Sequence, residues 1–327
     1  MLEEAFRSFL QSQGISAQEI DGQINFIQSL ERHLKTLAPT LRLEDLNQAS
    51  VQSLVDFLID TGDNTYQNFL AMARYAKVIQ NDAMFVSVFQ HLDGCEVMEN
   101  LHKKIAEFAG EDLRDIIFDE MPLPPLGLSG REKTLYTYRI LNRMDAIFEE
   151  TTCREIIKDC LRDLPEALYQ EDKKDYYEIC HQDIDQFLGL KGKKFIDTLE
   201  RFRRGGDLFF GQKITKDVIE FIKSNTEIGQ GVRVGNIIYE TKIPYNTKAY
   251  MEESDPVKKR YQYCHCPWAR ESILKSAFVV PAMFCQCSAG FHKKRYEVVL
   301  GQALRAEVLK SVLKGDLICR FAIHLPE

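Results

Sequence analysis

The spacing of apolar residues along the first part of the chain is that of amphipathic helices. Residues 1–118 contain five successive stripes in which hydrophobic side chains recur three or four positions apart. The first of these stripes follows Ser16, which with Glu19 has the spacing of a capping box, and Pro39 ends it. A later stripe is expected to stop at Gly62. The pattern predicts an all-helical bundle over residues 1–118.

A short stretch without periodicity follows the predicted bundle. Residues 119–131 contain three prolines and two glycines, and we interpret them as a linker between two domains. Helical spacing then resumes and places Cys153, Cys160 and Cys180 on apolar faces. Cysteine is among the residue types most often buried, so these three are predicted to be core residues.

Beyond Gly205 the pattern changes from helices alone to a mixture of helices and strands. Glycine becomes frequent, and a helix is predicted over residues 288–302. The segments predicted to be strands are Val234–Tyr245, Arg260–Cys266, Leu304–Leu313 and Leu317–Leu325. The last two are joined at Gly315, a hairpin signal. The sequence therefore predicts an α+β fold: a helical bundle followed by a mixed domain over residues 132–327 that contains an antiparallel sheet.

Composition narrows the classes of protein that the chain can belong to. Its 327 residues are enough for two domains, and a net charge of −7 argues against a general nucleic-acid binder. The acidic N-terminus does not have the pattern of a secretion signal, and no apolar run is long enough to span a bilayer. Nine cysteines without such a signal indicate a reducing compartment. We expect a cytoplasmic, non-membrane protein, and a homodimer is compatible with the sequence.

The candidate chemistry is concentrated in residues 263–321. This stretch holds five of the nine cysteines and the only tryptophan. On the predicted strand, Cys264 and Cys266 would point to the same face. Cys285 and Cys287 precede a predicted helix, whose N-terminus would stabilise a thiolate. In a reducing compartment such clusters are more often metal ligands, nucleophiles or core residues than disulfides.

The predicted hairpin resembles the end of 4-vinyl reductase domains. Its run Leu309–Phe321 ends in Gly-Asp, two residues, Cys, one residue and Phe, and it is also similar to 2-amino-thiazoline-4-carboxylic acid hydrolases. The resemblance implies an α+β module that binds a small molecule. Some sensory members hold a structural zinc with cysteines, and Cys319 matches one of those ligands. The partner cysteine falls at Ser311 here, so that ligand would have to come from elsewhere.

These observations together predict a metal centre made of cysteines. We expect Cys264, Cys266, Cys285 and Cys287 to converge on one metal, with Cys319 as a substitute for one of them. Zinc is the predicted metal, because four thiolates suit its tetrahedral coordination, and an iron–sulfur cluster is the alternative. The competing interpretation is that all five are reduced core cysteines without a ligand.

A ligand pocket is predicted beside the cysteines. Aromatic walls with a few polar anchors are typical of small-molecule sites. The candidate lining residues are Trp268, Phe291 and Tyr296, with Arg270 or Arg295 at the edge to hold a carboxylate. The alternatives are that the aromatic residues only fill a core and that both arginines are solvated surface residues.

Two other functions are also compatible with the sequence. The first is hydrolysis of a small amide-like or thiazoline-like ring, with Cys285 as the nucleophile and His292 as its base, or with metal-activated water. The second is DNA binding through the N-terminal helices, because Phe9–Ser16 resembles the opening of the core-binding domain of tyrosine recombinases. That family also needs several catalytic arginines and a tyrosine nucleophile. The His-x-x-Arg spacing of His292 and Arg295 lacks the matching surroundings.

Overall fold

The chain forms two compact units that do not follow the predicted linker. The computed structural model describes residues 2–274 and 278–326. Unit 1 comprises Met1–Cys95 and Pro124–Ser129, and unit 2 comprises Glu96–Leu123 and Gly130–Glu327. The predicted division at residues 119–131 therefore differs from the observed one, because helices ahead of the linker belong to unit 2.

Unit 1 is entirely helical in its described residues. Its helices are α1 (Glu3–Ser12), α2 (Ala17–Leu37), α3 (Gln48–Thr61), α4 (Tyr66–Val78) and α5 (Asp82–Leu92). The predicted capping box of α2 is present in full, since Ser16 and Glu19 each bond the backbone of the other. Gly62 ends α3 in the left-handed region at φ 75°, where glycine is favoured. The helical pattern predicted for this region is confirmed.

Unit 2 begins with helices that the sequence assigned to the bundle. Its helices are α6 (Val97–Ala109), α7 (Glu111–Phe118), α8 (Gly130–Ile147), α9 (Glu150–Ile157), α10 (Gln170–Lys174), α11 (Ile184–Gly205), α12 (Lys216–Lys223), α13 (Thr247–Glu252), α14 (Pro256–Tyr263) and α15 (Gln286–Leu300). Leu101 and Ile117 on α6 and α7 share one apolar core with Leu141 and Ile156 on α8 and α9. This shared core explains why the boundary lies before α6.

All strands of the described chain lie in unit 2. They are β1 (Leu208–Phe209), β2 (Gln212–Lys213), β3 (Val232–Val234), β4 (Ile237–Thr241), β5 (Arg305–Lys310) and β6 (Arg320–His324). The first two form a small ribbon, and the others form an antiparallel sheet in the order β3-β4-β6-β5. The predicted α+β class is confirmed. None of the described helices is both long and apolar enough to cross a membrane.

The sheet register brings particular residues of β4 and β6 side by side. Glu240 is paired with Phe321, and two residues further along the backbone N–H of Lys242 donates to the carbonyl of Cys319 at 3.0 Å. Side chains of directly opposed residues lie on the same face of a sheet. Helix α15 packs against β5 and β6. The side chains of Glu240 and Lys242 reach this helix through hydrogen bonds to His292 and Ser288.

Two local predictions about the cysteines are wrong. The segment predicted as a strand over Arg260–Cys266 is the helix α14 followed by an extended turn, with Cys264 directly after the helix. Asp255 caps this helix by accepting from two backbone N–H groups, and Pro256 occupies its first turn. The argument that Cys264 and Cys266 share a strand face therefore fails. The predicted helix over residues 288–302 is confirmed as α15, which begins at Gln286.

Candidate functional site

Four polar residues at helical spacing run along α15 and the turn before it. Cys285, Ser288, His292 and Tyr296 are each three or four residues apart, and we call this set the polar stripe. Each member bonds a polar side chain outside the helix. The contacts are Cys285 Sγ to Ser311 Oγ at 3.0 Å, Ser288 Oγ to Lys242 Nζ at 3.1 Å, His292 Nδ1 to Glu240 Oε2 at 2.6 Å and Tyr296 Oη to Glu240 Oε1 at 2.6 Å.

Glu240 is the centre of a buried charged network. Its Oε1 accepts hydrogen bonds from Lys191 and Tyr296, and its Oε2 is bonded to His292. The Lys191 side chain is only 4% exposed and that of Glu240 only 9%. Burial favours the neutral acid, but Lys191 and His292 outweigh it and hold the pKa of Glu240 well below its usual range. Glu240 is therefore an ionised carboxylate inside the unit.

His292 has one ring nitrogen engaged and one buried nitrogen without a hydrogen-bond partner. The Glu240 carboxylate can only accept, so Nδ1 of His292 carries the hydrogen and Nε2 carries the lone pair. Nε2 is buried and has no partner among the described residues. The ring stacks on Phe321 at 4.5 Å between centroids. Burial lowers the pKa of His292 against the opposing effect of Glu240, which favours the neutral imidazole.

Four of the five predicted metal-ligating cysteines lie in one region of unit 2. The pKa of Cys285 lies well above its usual value. Burial is the largest cause and the neighbouring Cys319 is the next, while Cys264 and Cys266 have smaller effects. Burial and the Cys264 thiol raise the pKa values of Cys266 and Cys319 to about 12. Thiols that shift one another's pKa in this way are near neighbours. Cys264, Cys266 and Cys319 pack in one apolar cluster, and Cys285 lies close enough for them to affect its pKa.

The donor chemistry of this region fits a soft metal, but the placement of the side chains does not form a coordination sphere. Thiolate sulfur is a preferred ligand of zinc and of iron–sulfur clusters. Over residues 2–274 and 278–326, no three Cys, His, Asp or Glu side chains are arranged so that they could hold a metal ion. The zinc centre and the alternative iron–sulfur cluster both stay predictions.

Cys287, the fifth predicted ligand, is bonded to a different partner. Its Sγ lies 4.0 Å from Sγ of Cys160 and accepts the backbone N–H of Leu161 at 3.3 Å. The Cys160 thiol is the main cause that lowers the pKa of Cys287. Cys160 was predicted to be a core residue on a helix, but α9 ends at Ile157 and Cys160 is only half-buried. Cys153 and Cys180 are buried as predicted.

The aromatic residues predicted to line a pocket belong to separate parts of the unit 2 core. Trp268 is 2% exposed and packs in the cluster formed with α6 to α9. Tyr296 is fully buried in another cluster. Phe291 is half-buried, with Lys242 Nζ at 5.6 Å from its ring centroid. These placements favour core packing for Trp268 and Tyr296, while Phe291 lies next to the polar stripe.

Both arginines predicted to hold a carboxylate contact other protein groups. Arg270 lies over the ring of Tyr261 at 4.0 Å and over that of Tyr245 at 4.6 Å, and its Nε donates to the Tyr261 carbonyl. Arg295 forms an ion pair with Asp172 at 3.5 Å. Their role in ligand binding stays a prediction, and neither is simply a solvated surface residue.

An open cleft lies elsewhere on unit 2. It has a volume of about 660 Å³. Its lining includes Asp145, Phe148, Arg154, Pro281, Met283 and Lys314. None of the predicted ligand-binding residues lines it. The cleft is therefore not the predicted pocket.

The sequence did not point to Glu240, Lys191 or Lys242 as functional residues. The available signal was a single carboxylate within the apolar strand Ile237–Thr241, which contradicts the residue choice expected for a buried strand. Lys191 carried no comparable signal, because its helix contains many other lysines and arginines. No protein-family model, curated protein or solved structure matches this chain significantly.

Proposed function

We propose that unit 2 binds a zinc ion through Cys264, Cys266, Cys285 and Cys319, and that this centre supports a small-molecule site at the polar stripe. The proposal depends on one observation: Cys264, Cys266 and Cys319 pack in one cluster of the interior, and together they raise the pKa of Cys285. Buried thiolates that repel one another need a compensating positive charge. A divalent soft metal supplies that charge and favours the deprotonated thiols.

Cys319 replaces Cys287 in this ligand set for a structural reason. The Cys287 sulfur is already engaged by Cys160 and by the N–H of Leu161. Cys319 packs in the same cluster as Cys264 and Cys266, and it raises the pKa of Cys285. A set of cysteines without a carboxylate or water position favours a closed structural zinc site over a catalytic one. An iron–sulfur cluster is the alternative occupant, and its absorption in the visible range distinguishes it from colourless zinc.

The polar stripe supplies the groups that a small ligand would use. Lys242 Nζ donates to Ser288 and lies over the ring of Phe291. His292 offers Nε2 as a buried hydrogen-bond acceptor. A cation, an acceptor nitrogen and an aromatic face suit a small, polar organic molecule with an acidic group. Arg270 and Arg295 are less suited to this role, because tyrosine rings and Asp172 already engage them.

The zinc proposal is tested by metal analysis of the full chain purified without oxygen or chelator. Stoichiometric zinc and no visible absorption are expected. The double variant Cys285→Ser with Cys319→Ser should lose the metal, because two of four ligands are removed. Cys180→Ser is the matched control, since Cys180 is buried in a different cluster. Metal-free wild-type protein, or zinc retained by the double variant, would contradict the proposal.

A hydrolase is the second candidate, and the Glu240–His292 pair favours it. A histidine whose Nδ1 is held by a buried carboxylate has its Nε2 free to accept a proton from a nucleophile. The structure pairs Cys285 with Ser311, so a water molecule is the better nucleophile for this base. Hydrolysis of 2-amino-thiazoline-4-carboxylate by the wild-type chain but not by His292→Gln is the expected result. No turnover by wild-type protein would exclude that substrate.

A further inference from the structure

Two cysteines outside the proposed zinc ligands lie side by side with no disulfide between them. The sulfurs of Cys160 and Cys287 are 4.0 Å apart, and 126 residues separate them along the chain. Both residues are free thiols and both are half-buried. The Cys287 sulfur also accepts the backbone N–H of Leu161, and the Cys160 sulfur accepts that of Arg162.

The close approach of the two chain segments is held by a glycine. Gly290 lies one helical turn beyond Cys287 on α15, against the backbone of residues 158–160. A Cβ at this position would lie 2.3 Å from the backbone N of Cys160 and 2.6 Å from the carbonyl oxygen of Lys158. Real Cβ atoms do not approach backbone atoms so closely, so only glycine allows this packing.

An ion pair ties the same two segments together. Lys293 on α15 is buried, and its Nζ lies 2.8 Å from a carboxylate oxygen of Asp159. Asp159 directly precedes Cys160 in the chain. Lys293 also donates to the carbonyl of Leu304, which fixes the position of its ammonium group. The backbone contact at Gly290 and this ion pair therefore hold Cys160 beside the first turn of α15 through groups other than the sulfurs themselves.

We propose that Cys160 and Cys287 are a reversible redox site, which forms an intramolecular disulfide by exchange with a low-molecular-weight disulfide. A disulfide bond is about 2.05 Å long, so the sulfurs need to approach by about 2 Å, which rotation of the two side chains can supply. The proposal is independent of the zinc centre, because neither cysteine belongs to the proposed ligand set.

The exchange proceeds in two substitutions at sulfur. The Cys287 thiolate, at the N-terminal turn of α15, attacks one sulfur of the small disulfide; that S–S bond breaks and one small thiolate leaves. The Cys160 thiolate then attacks the Cys287 sulfur of the mixed disulfide and expels the second small thiolate. The protein loses two electrons and two protons, and the small disulfide gains them as it becomes two thiols.

Oxidised glutathione is a suitable probe for the full chain. After incubation, peptide mapping by mass spectrometry without reductant should show one linked peptide pair containing Cys160 and Cys287, and dithiothreitol should reverse the link. Cys160→Ser should instead keep a glutathione adduct on Cys287, because the second substitution has no nucleophile. Cys180→Ser should behave like the wild type. A wild-type chain without the link, or with Cys287 linked to Cys266 instead, would overturn the proposal.

A second variant tests the geometry while both thiols are kept. Gly290→Ala pushes residues 158–160 away from α15, and cross-linking should slow by about tenfold as the effective concentration of one thiol near the other falls. Cross-linking at the wild-type rate in this variant would show that the observed placement does not control the reaction. Zinc content measured on the same samples should not change in Cys160→Ser, so the zinc proposal and this one fail separately.

Discussion

The interiors of the two units differ in whether they contain charge. Among the described residues of unit 1, the buried polar side chains are Gln23, Ser87 and His91, and none is a lysine, arginine, aspartate or glutamate. The described residues of unit 2 include five such buried charged residues, each at most 7% exposed as a whole residue. They are Lys133, Asp175, Lys191, Glu240 and Lys293. Eight of the nine cysteines and the tryptophan also belong to unit 2.

This difference separates a scaffold from a candidate site. An apolar core stabilises the fold by removing apolar surface from water, and its residues can be exchanged for other apolar residues of similar volume. A buried ion costs several kcal/mol of desolvation and contributes little net stability even when it is paired. Stability alone therefore explains the core of unit 1, whereas the network at Glu240 is better explained by a function of unit 2.

The largest expected effect comes from removing the centre of the charged network. Glu240→Ala leaves the Lys191 ammonium buried without its carboxylate, and we expect a loss of about 3–5 kcal/mol in the free energy of unfolding. Trp268 is buried in unit 2, so its fluorescence during urea denaturation reports on this unit.

The matched control is an ion pair at the surface of unit 1. Asp21 contacts Arg7 at 2.8 Å with its side chain 61% exposed. Asp21→Ala should change stability by less than about 1 kcal/mol, measured by far-ultraviolet circular dichroism. Equal effects of the two substitutions would remove the distinction between the two interiors.

A pair of glycines gives opposite expectations in the two units. Gly290→Ala places a Cβ against the backbone of Cys160, and overpacking of this kind should destabilise unit 2 by about 1–3 kcal/mol. Gly22 lies within α2 of unit 1 with no atom near its missing side chain. Gly22→Ala should stabilise by about 0.5–1 kcal/mol, because alanine favours the helix. Urea denaturation of both variants checks these signs, and a stabilised Gly290→Ala would argue against the close approach.

A smaller effect than those of Glu240→Ala and Gly290→Ala is expected for acid stability. Arg320 donates to both carboxylate oxygens of Glu227 and is the main cause that lowers the pKa of Glu227 below 4.5. A lowered carboxylate pKa contributes stability that is complete above pH 4.5 and is lost as the pH falls through the folded-state pKa. Glu227→Gln should remove this contribution, about 1 kcal/mol after allowance for partial exposure.

Denaturation midpoints of the wild type and of Glu227→Gln between pH 7 and pH 3 measure this contribution. The two curves should differ at neutral pH and converge in acid. Glu19, exposed in the capping box of unit 1, has a pKa lowered by Ser16 and provides the comparison. Its change to Gln should have the smaller effect, because water screens it and Gln keeps the capping hydrogen bond. Parallel curves for Glu227→Gln would contradict the prediction.

The sequence predicted the helices better than the environment of the cysteines. Helix α2 was predictable because its capping box and its apolar spacing are local features. The strand predicted over Arg260–Cys266 was wrong because the alternating aromatic residues there belong to a helix whose local start lies further upstream. Asp255 followed by Pro256 is that start, and it was readable from the sequence.

The sequence by itself determined the α+β class, helices α2 to α5 of unit 1, α15, and the two strands of the last hairpin, because periodicity and capping act over a few residues. The tertiary structure decided which polar groups meet. Glu240 contacts Lys191 and His292, which lie 49 and 52 positions away in the chain. Cys287 contacts Cys160, which lies 127 positions away. Such pairings follow from how α15 packs on its neighbours, and no local pattern encodes the partner that a buried charge or thiol meets.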